Sequence, residues 1–180
     1  MSARTALHER IRSALRELGA AENLVEERKL PAHADAQRLT PVGLGTDGRD
    51  RLLTPVAAKA WLAMRDAAAR EGVELLLVSA FRSFDFQLAL IRGKLAKGRS
   101  IAEIFTVNAP PGCSEHHTGR AVDIGSSGTP PLEEDFENTA AFQWLTRHAS
   151  RFGFSMSYPR NNPHGYLYEP WHWCHHGRSK

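Results

Sequence analysis

The stretch Ser114-Glu115-His116-His117-Thr118-Gly119-Arg120-Ala121-Val122-Asp123 sets an imidazole and a carboxylate on either side of a glycine turn. In an extended segment Ala121 and Asp123 project to one face, so Asp123 can return towards His116. Both are good zinc ligands, and a catalytic zinc uses three protein ligands plus water. A third is found in Glu169-Pro170-Trp171-His172, which supplies His172 and a carboxylate three residues earlier. Metal-assisted hydrolysis needs that set. Zinc brings the pKa of bound water towards ~7 and polarises the scissile carbonyl, while a nearby carboxylate takes the proton and hands it to the leaving amine. Residues three apart point to opposite faces of a flat strand, so Pro170 must bend the backbone if Glu169 and His172 serve one centre.

These residues resemble the VanY-type zinc D-alanyl-D-alanine carboxypeptidases and their L,D-carboxypeptidase relatives. The family pattern Ser-x-His-x-x-Gly-x-Ala-x-Asp is matched from Ser114 to Asp123, and Glu-x-Trp-His from Glu169 to His172. Upstream, Ser79-Ala80-Phe81-Arg82-Ser83 with Gln87 is similar to the family's Ser-Gly-Tyr-Arg-Ser segment and its glutamine. The resemblance runs from about Thr54 to Trp173, and three motifs in order are more specific than one. It implies one zinc ion on His116, Asp123 and His172, with Glu169 as general base. It implies that Arg82 meets the substrate carbonyl or oxyanion, which its fork of donors suits, and that Gln87 and Ser114 hold the terminal carboxylate. The implied substrate is a murein stem peptide or muropeptide losing its last D-alanine. Ala80 and Phe81 replace the usual glycine and tyrosine, removing a hydroxyl near the substrate, and Cys174-His175-His176 lies outside the family pattern.

Taken singly, each ligand has an ordinary explanation as a turn histidine, a capping aspartate or a core-edge histidine; the joint spacing favours zinc. His117, adjacent to His116, points away from it and reads as a contact behind the ligands or to solvent. His164, His175 and His176 read as surface histidines, Trp171 as packing in the site wall, and Trp61, Met64 and Ala67 as a core stripe. Two rivals differ in testable ways. A peptidoglycan endopeptidase of the same superfamily needs a cleft open at both ends. A non-catalytic module needs a fourth protein ligand closing the zinc, with Cys174 and His175 the nearest candidates.

The elements that must position these groups form a small α+β fold. Leu7, Ile11, Ala14, Leu15 and Leu18 predict a helix over 5–18. Residues 20–53 are broken by Pro31, Pro41, Gly43, Gly45 and Gly48. Thr54-Pro55 opens a second helix that ends before Gly72. A buried strand is expected over 73–79, a helix over 85–97, an irregular loop at Pro110-Pro111-Gly112, a strand over 120–124 and a helix over 138–152. Strands over 154–158 and 166–173 are expected to pair as a long hairpin. Residues 54–180 form the core, and 1–53 belong to the same domain or cap it. The resemblance sharpens this into a small antiparallel sheet with flanking helices, similar to the fold shared by these peptidases and the hedgehog signalling domain.

At 180 residues and 42% hydrophobic content the chain suffices for one buried core. Its net charge of +3, with acids and bases interspersed, gives no nucleic-acid stripe. No segment approaches the roughly 18 apolar residues of a membrane span. The N-terminus lacks the apolar run of a signal peptide, so a cytoplasmic protein is expected, or a periplasmic one if a leader was removed. That setting favours L,D activity on recycled tetrapeptide, since cytoplasmic D,D activity would consume pentapeptide precursors. Cys113 and Cys174 are too few for a disulfide framework and read as free thiols, with a single bridge as the alternative.

Overall fold

The computed structural model describes residues 2–177. Helix α1 (Ala3–Glu17) starts where Ser2 caps the Thr5 amide. A short α2 (Leu24–Glu27) leads to a two-stranded antiparallel ribbon, β1 (Thr40–Leu44) and β2 (Asp50–Leu53). Thr54 and Pro55 then open α3 (Pro55–Arg70). Its buried stripe of Ala57, Ala58, Trp61, Met64 and Ala68 has helical spacing and packs on the sheet. Trp61 and Met64 are fully buried, whereas Ala67 is only partly so.

The principal sheet is antiparallel, in the order β3 (Leu76–Ser79), β4 (Ala121–Gly125), β6 (His172–His175), β5 (Phe154–Met156). Between β3 and β4 lie α4 (Phe84–Ala96), α5 (Ile101–Val107) and a 3-10 turn over Glu115–Thr118. Between β4 and β5 lies α6 (Ala140–His148), flanked by 3-10 turns. One core joins α3, α6 and the sheet; a second joins α1 to α4 and α5 through Ile11, Leu15, Phe84, Ile91, Ile104 and Phe105.

Two expectations give way here. The hairpin expected from 154–158 and 166–173 is a three-residue pairing, Phe154 with His175 to Met156 with Trp173. Residues 166–168 stay irregular because Arg28 and Asn162 take backbone groups nearby: Arg28 binds the His164 carbonyl, and Asn162 the Tyr166 carbonyl and amide. The breaker-rich 20–53 segment nevertheless holds the β1–β2 ribbon, with an irregularity between Pro41 and Leu44. In such a ribbon each strand has an unpaired edge, which accommodates a proline.

Candidate active site

Strands β4 and β6 pair so that Asp123 lies opposite His172. The 3-10 turn just before β4 brings His116 to the same place, and Gly119 makes the return possible. Gly119 has φ +62°, and a Cβ there would lie 3.0 Å from Leu39 and 3.2 Å from both Ala36 and Thr54. Side-chain ligand atoms of His116, Asp123 and His172 all fall within 4.8 Å of one another, and all three residues are buried.

Hydrogen bonds set which atom each ligand presents. His116 Nδ1 donates to the Ala80 carbonyl at 2.6 Å. This leaves Nε2 as a bare lone pair, buried without a hydrogen-bond partner, 3.2 Å from Asp123 Oδ2. Two lone pairs facing each other in a dry site call for a cation between them. His172 turns Nδ1 to Asp123 Oδ1 and Nε2 to Glu115 Oε2, both at 3.0 Å. Glu115 also accepts from Ser157 Oγ at 2.6 Å. An imidazole backed by a carboxylate is the usual support of a metal-binding histidine, so the three residues fit zinc by donor chemistry and by orientation.

The charges follow from burial and pairing. Burial and the Arg82 guanidinium bring His116 down to about 4. Burial would depress His172 too, but Asp123 and Glu115 outweigh it and raise it to about 10. Burial opposes the ionised form of Asp123, yet the two histidines hold it well below the ordinary carboxylate range. Glu169 differs: burial pushes it up to about 7, against the attraction of His172 and Arg82. Its carboxylate has no hydrogen-bond partner among the described residues. The bend required at Pro170 is present, since the His172 amide donates to the Glu169 carbonyl at 3.1 Å and strand β6 begins only at His172.

Arg82 lies in the loop ahead of α4. The loop is braced where the Arg82 amide meets the His116 carbonyl (3.3 Å) and where His117 Nδ1 donates to the Arg82 carbonyl (2.7 Å). Its guanidinium is 3.6 Å from Asp123 Oδ2 and 3.4 Å from Gln87 Oε1, with Nε buried and unpartnered. Gln87 is buried and gives one amide hydrogen to the Ala109 carbonyl at 2.8 Å. Ser114 caps the His116 amide at 3.3 Å and lines the narrow end of the cleft with Arg82, Gln87 and Glu169. The cleft widens to about 400 Å³ between Arg82, Lys94, Arg99, Leu132, Tyr168 and Trp171. The structure thus brings together all seven residues singled out in the sequence.

Of the remaining expectations one needs correction and others hold. His175 is not a surface residue; it is buried on the opposite face of β6 from His172, edge-on to Phe154. His117 takes the first of its two expected places, behind the ligands: it is fully buried, and its Nε2 accepts from the Gly112 amide at 3.0 Å. Phe81 lines a neighbouring groove with Asp47, Arg51 and Phe86 that meets the cleft at Arg82. Both cysteines are free and buried. Among the described residues no fourth histidine, cysteine or carboxylate joins the three. Glu115 is the contact that sequence reasoning missed; its one signal is an acid adjacent to a ligand histidine.

A buried His–Asp–His cluster on a small antiparallel sheet, open to a cleft beside an unpaired glutamate, defines the metallopeptidase type of site. Residues 50–178 match the VanY family of D-alanyl-D-alanine carboxypeptidases, and the chain belongs to that family. It is 41% identical over 126 residues to YodJ of Bacillus subtilis, covering 68% of this chain but only 45% of that relative. The solved LdcB LD-carboxypeptidase superposes with a TM-score of 0.73 at 34% identity, over 83% of this chain and 72% of that one. The D,D-pentapeptidase VanY from a VanB-type resistance cassette, solved with Zn(II), does so with 0.62 at 28% identity, over 82% and 83%.

Proposed function

We propose that the protein is a zinc-dependent carboxypeptidase that hydrolyses the C-terminal D-alanine from peptidoglycan stem peptides. The observation that carries this reading is the pair of facing lone pairs on His116 Nε2 and Asp123 Oδ2, beside a buried Glu169 carboxylate without a hydrogen-bond partner among the described residues. His116, Asp123 and His172 would hold the ion. When bound, zinc supplies Lewis-acid activation of water and of the scissile carbonyl.

The chain's own groups do the rest. Glu169, poised near neutrality, takes a proton from the attacking water and delivers it to the leaving nitrogen. Arg82 keeps donors directed into the cleft and stabilises charge that develops on the carbonyl oxygen. Ser114 Oγ and the remaining amide hydrogen of Gln87 sit at the narrow end, where they receive the substrate's terminal carboxylate. That end, lined also by Val107, Ala109 and Tyr158, narrows to about 20 Å³, which suits a short C-terminal residue rather than a continuing chain. This favours exopeptidase over endopeptidase action.

For the linkage, the likeness to LdcB supports L,D cleavage of tetrapeptide, and the family description supports D,D cleavage of pentapeptide. We favour the first. The test is mass spectrometry of zinc-loaded protein incubated separately with stem tetrapeptide and pentapeptide, with Glu169→Ala as control. Loss of one alanine from tetrapeptide alone, absent in the control, is the expected result. Loss from pentapeptide alone makes it a D,D-enzyme, and release of internal fragments from sacculi without either makes it an endopeptidase.

A further inference from the structure

The Cys174-His175-His176 run has no part in the site above, yet the fold gives two of its members a shared neighbour. Cys174 lies two residues beyond His172 on the same face of β6. Its thiol, a carboxylate oxygen of Glu115 and an imidazole nitrogen of His176 all lie within 4.8 Å of one another. Cys174 is 1% exposed, Glu115 is partly buried and His176 is exposed. Glu115 and His176 border a cavity of about 220 Å³ whose walls also include Cys113 and Tyr166. Tyr166 is 8% exposed, and its hydroxyl is buried with no hydrogen-bond partner. The cavity therefore has two of the ligands, Glu115 and His176, in its wall, with the Cys174 thiol within ligand distance of both and the unmatched Tyr166 side chain alongside.

We propose that Glu115, Cys174 and His176 form a second zinc site, beside and separate from the His116–Asp123–His172 cluster, and that filling it weakens the first. Thiolate, imidazole and carboxylate together suit a borderline-soft ion such as zinc rather than magnesium or calcium. The cavity leaves room for water as a fourth ligand, and the thiol proton leaves to solvent when the metal binds. Glu115 belongs to both centres, because its Oε2 accepts from His172 Nε2 at 3.0 Å. An ion drawing on Glu115 takes negative charge from behind His172 and loosens its orientation. Zinc in excess thereby becomes an inhibitor through a site the substrate does not touch.

The experiment counts ions rather than turnover, so it stands whether or not the peptidase reading holds. Zinc-loaded protein is titrated with further zinc under native mass spectrometry, and the titration is repeated with cobalt followed by near-ultraviolet absorption. Wild type is expected to take a second, weaker equivalent, and the second cobalt to bring a sulfur-to-cobalt charge-transfer band. Cys174→Ala is expected to lose both, and His176→Ala, at an exposed position, to lose the second equivalent while keeping the first. In parallel, excess zinc slows peptide hydrolysis by wild type and leaves both variants unaffected. A single equivalent in wild type, a second equivalent without the sulfur band, or one that persists in both variants overturns the proposal.

Discussion

Glu169 makes a stability prediction that is independent of any peptide assay. It is 8% exposed and, with no hydrogen-bond partner, is raised by burial from an ordinary 4.5 to about 7. In metal-free protein the folded chain therefore binds this proton more tightly than the unfolded chain does. Between those two values the folded state carries the extra proton, so this group's contribution to stability falls as pH rises through the window. A rise of that size is worth about 3 kcal/mol. Glu169→Gln replaces the carboxyl by a neutral group of the same shape and removes the cost. The variant should match wild type near about pH 4 and exceed it by about 3 kcal/mol near about pH 8. For a chain of this size that is a rise in Tm of roughly 6–12 °C. Urea unfolding of chelator-treated protein over a pH series measures the difference directly. Saturating zinc should shrink it, because a neighbouring cation favours the ionised carboxylate. Hydrolysis should fall by about 10²–10⁴ in the same variant, as for loss of a general base. A stability difference that does not change with pH would refute the argument that this carboxyl is held in a desolvated, unpaired state.

Three further outcomes follow from the geometry. Glu115→Gln takes the negative charge from behind His172 and should weaken zinc binding about 10–100-fold, read by chelator competition, with kcat falling and KM for peptide little changed. Arg82→Lys keeps the charge but loses the fork and its reach past Asp123 and Gln87; kcat should drop about 10²–10³-fold in steady-state assays while zinc stoichiometry stays at its wild-type value. Gly119→Ala forces a side chain into a left-handed backbone with a contact of 3.0 Å to Leu39, and should cost about 1–3 kcal/mol of stability by thermal melting followed by circular dichroism.

The parts of the site that lay within one motif were legible beforehand. His116, Gly119 and Asp123 sit within eight consecutive residues, so local geometry alone limits where they can point. The bend at Pro170 was legible for the same reason, because alternation along a strand would otherwise separate Glu169 from His172. Helices α1, α3 and α4 announced themselves by spacing, and α3 also by its Thr54-Pro55 start. The α5 helix was also signalled, by Ser100 and Glu103 forming a reciprocal capping box, a pattern easily passed over ahead of so short a segment. Glu115 was not legible, because its partner lies 57 residues away and faces it only through the pairing of β4 with β6. The β1–β2 ribbon was hidden by breakers whose effect depends on whether a strand edge is free.

The balance of charge explains how this cluster tolerates being buried. Glu115, Asp123 and Glu169 place three carboxyl groups around two histidines and Arg82, in a setting where an unpaired charge is costly. Two devices lower that cost without a metal: Glu169 holds its proton to near neutrality, and His172 as an imidazolium donates Nδ1–H to Asp123 and Nε2–H to Glu115. His172 is raised above its ordinary 6.5 to about 10, so its contribution is complete below about 6.5 and is lost only as pH climbs through the upper value. In metal-free protein an imidazolium on His172 thus offsets the negative charge of Asp123 and Glu115 through neutral pH. If His172 holds zinc through Nδ1, binding would expel the proton there while Nε2–H stays with Glu115. Zinc affinity should therefore rise with pH across the neutral range, and Glu115 is the residue that keeps His172 aligned in both states.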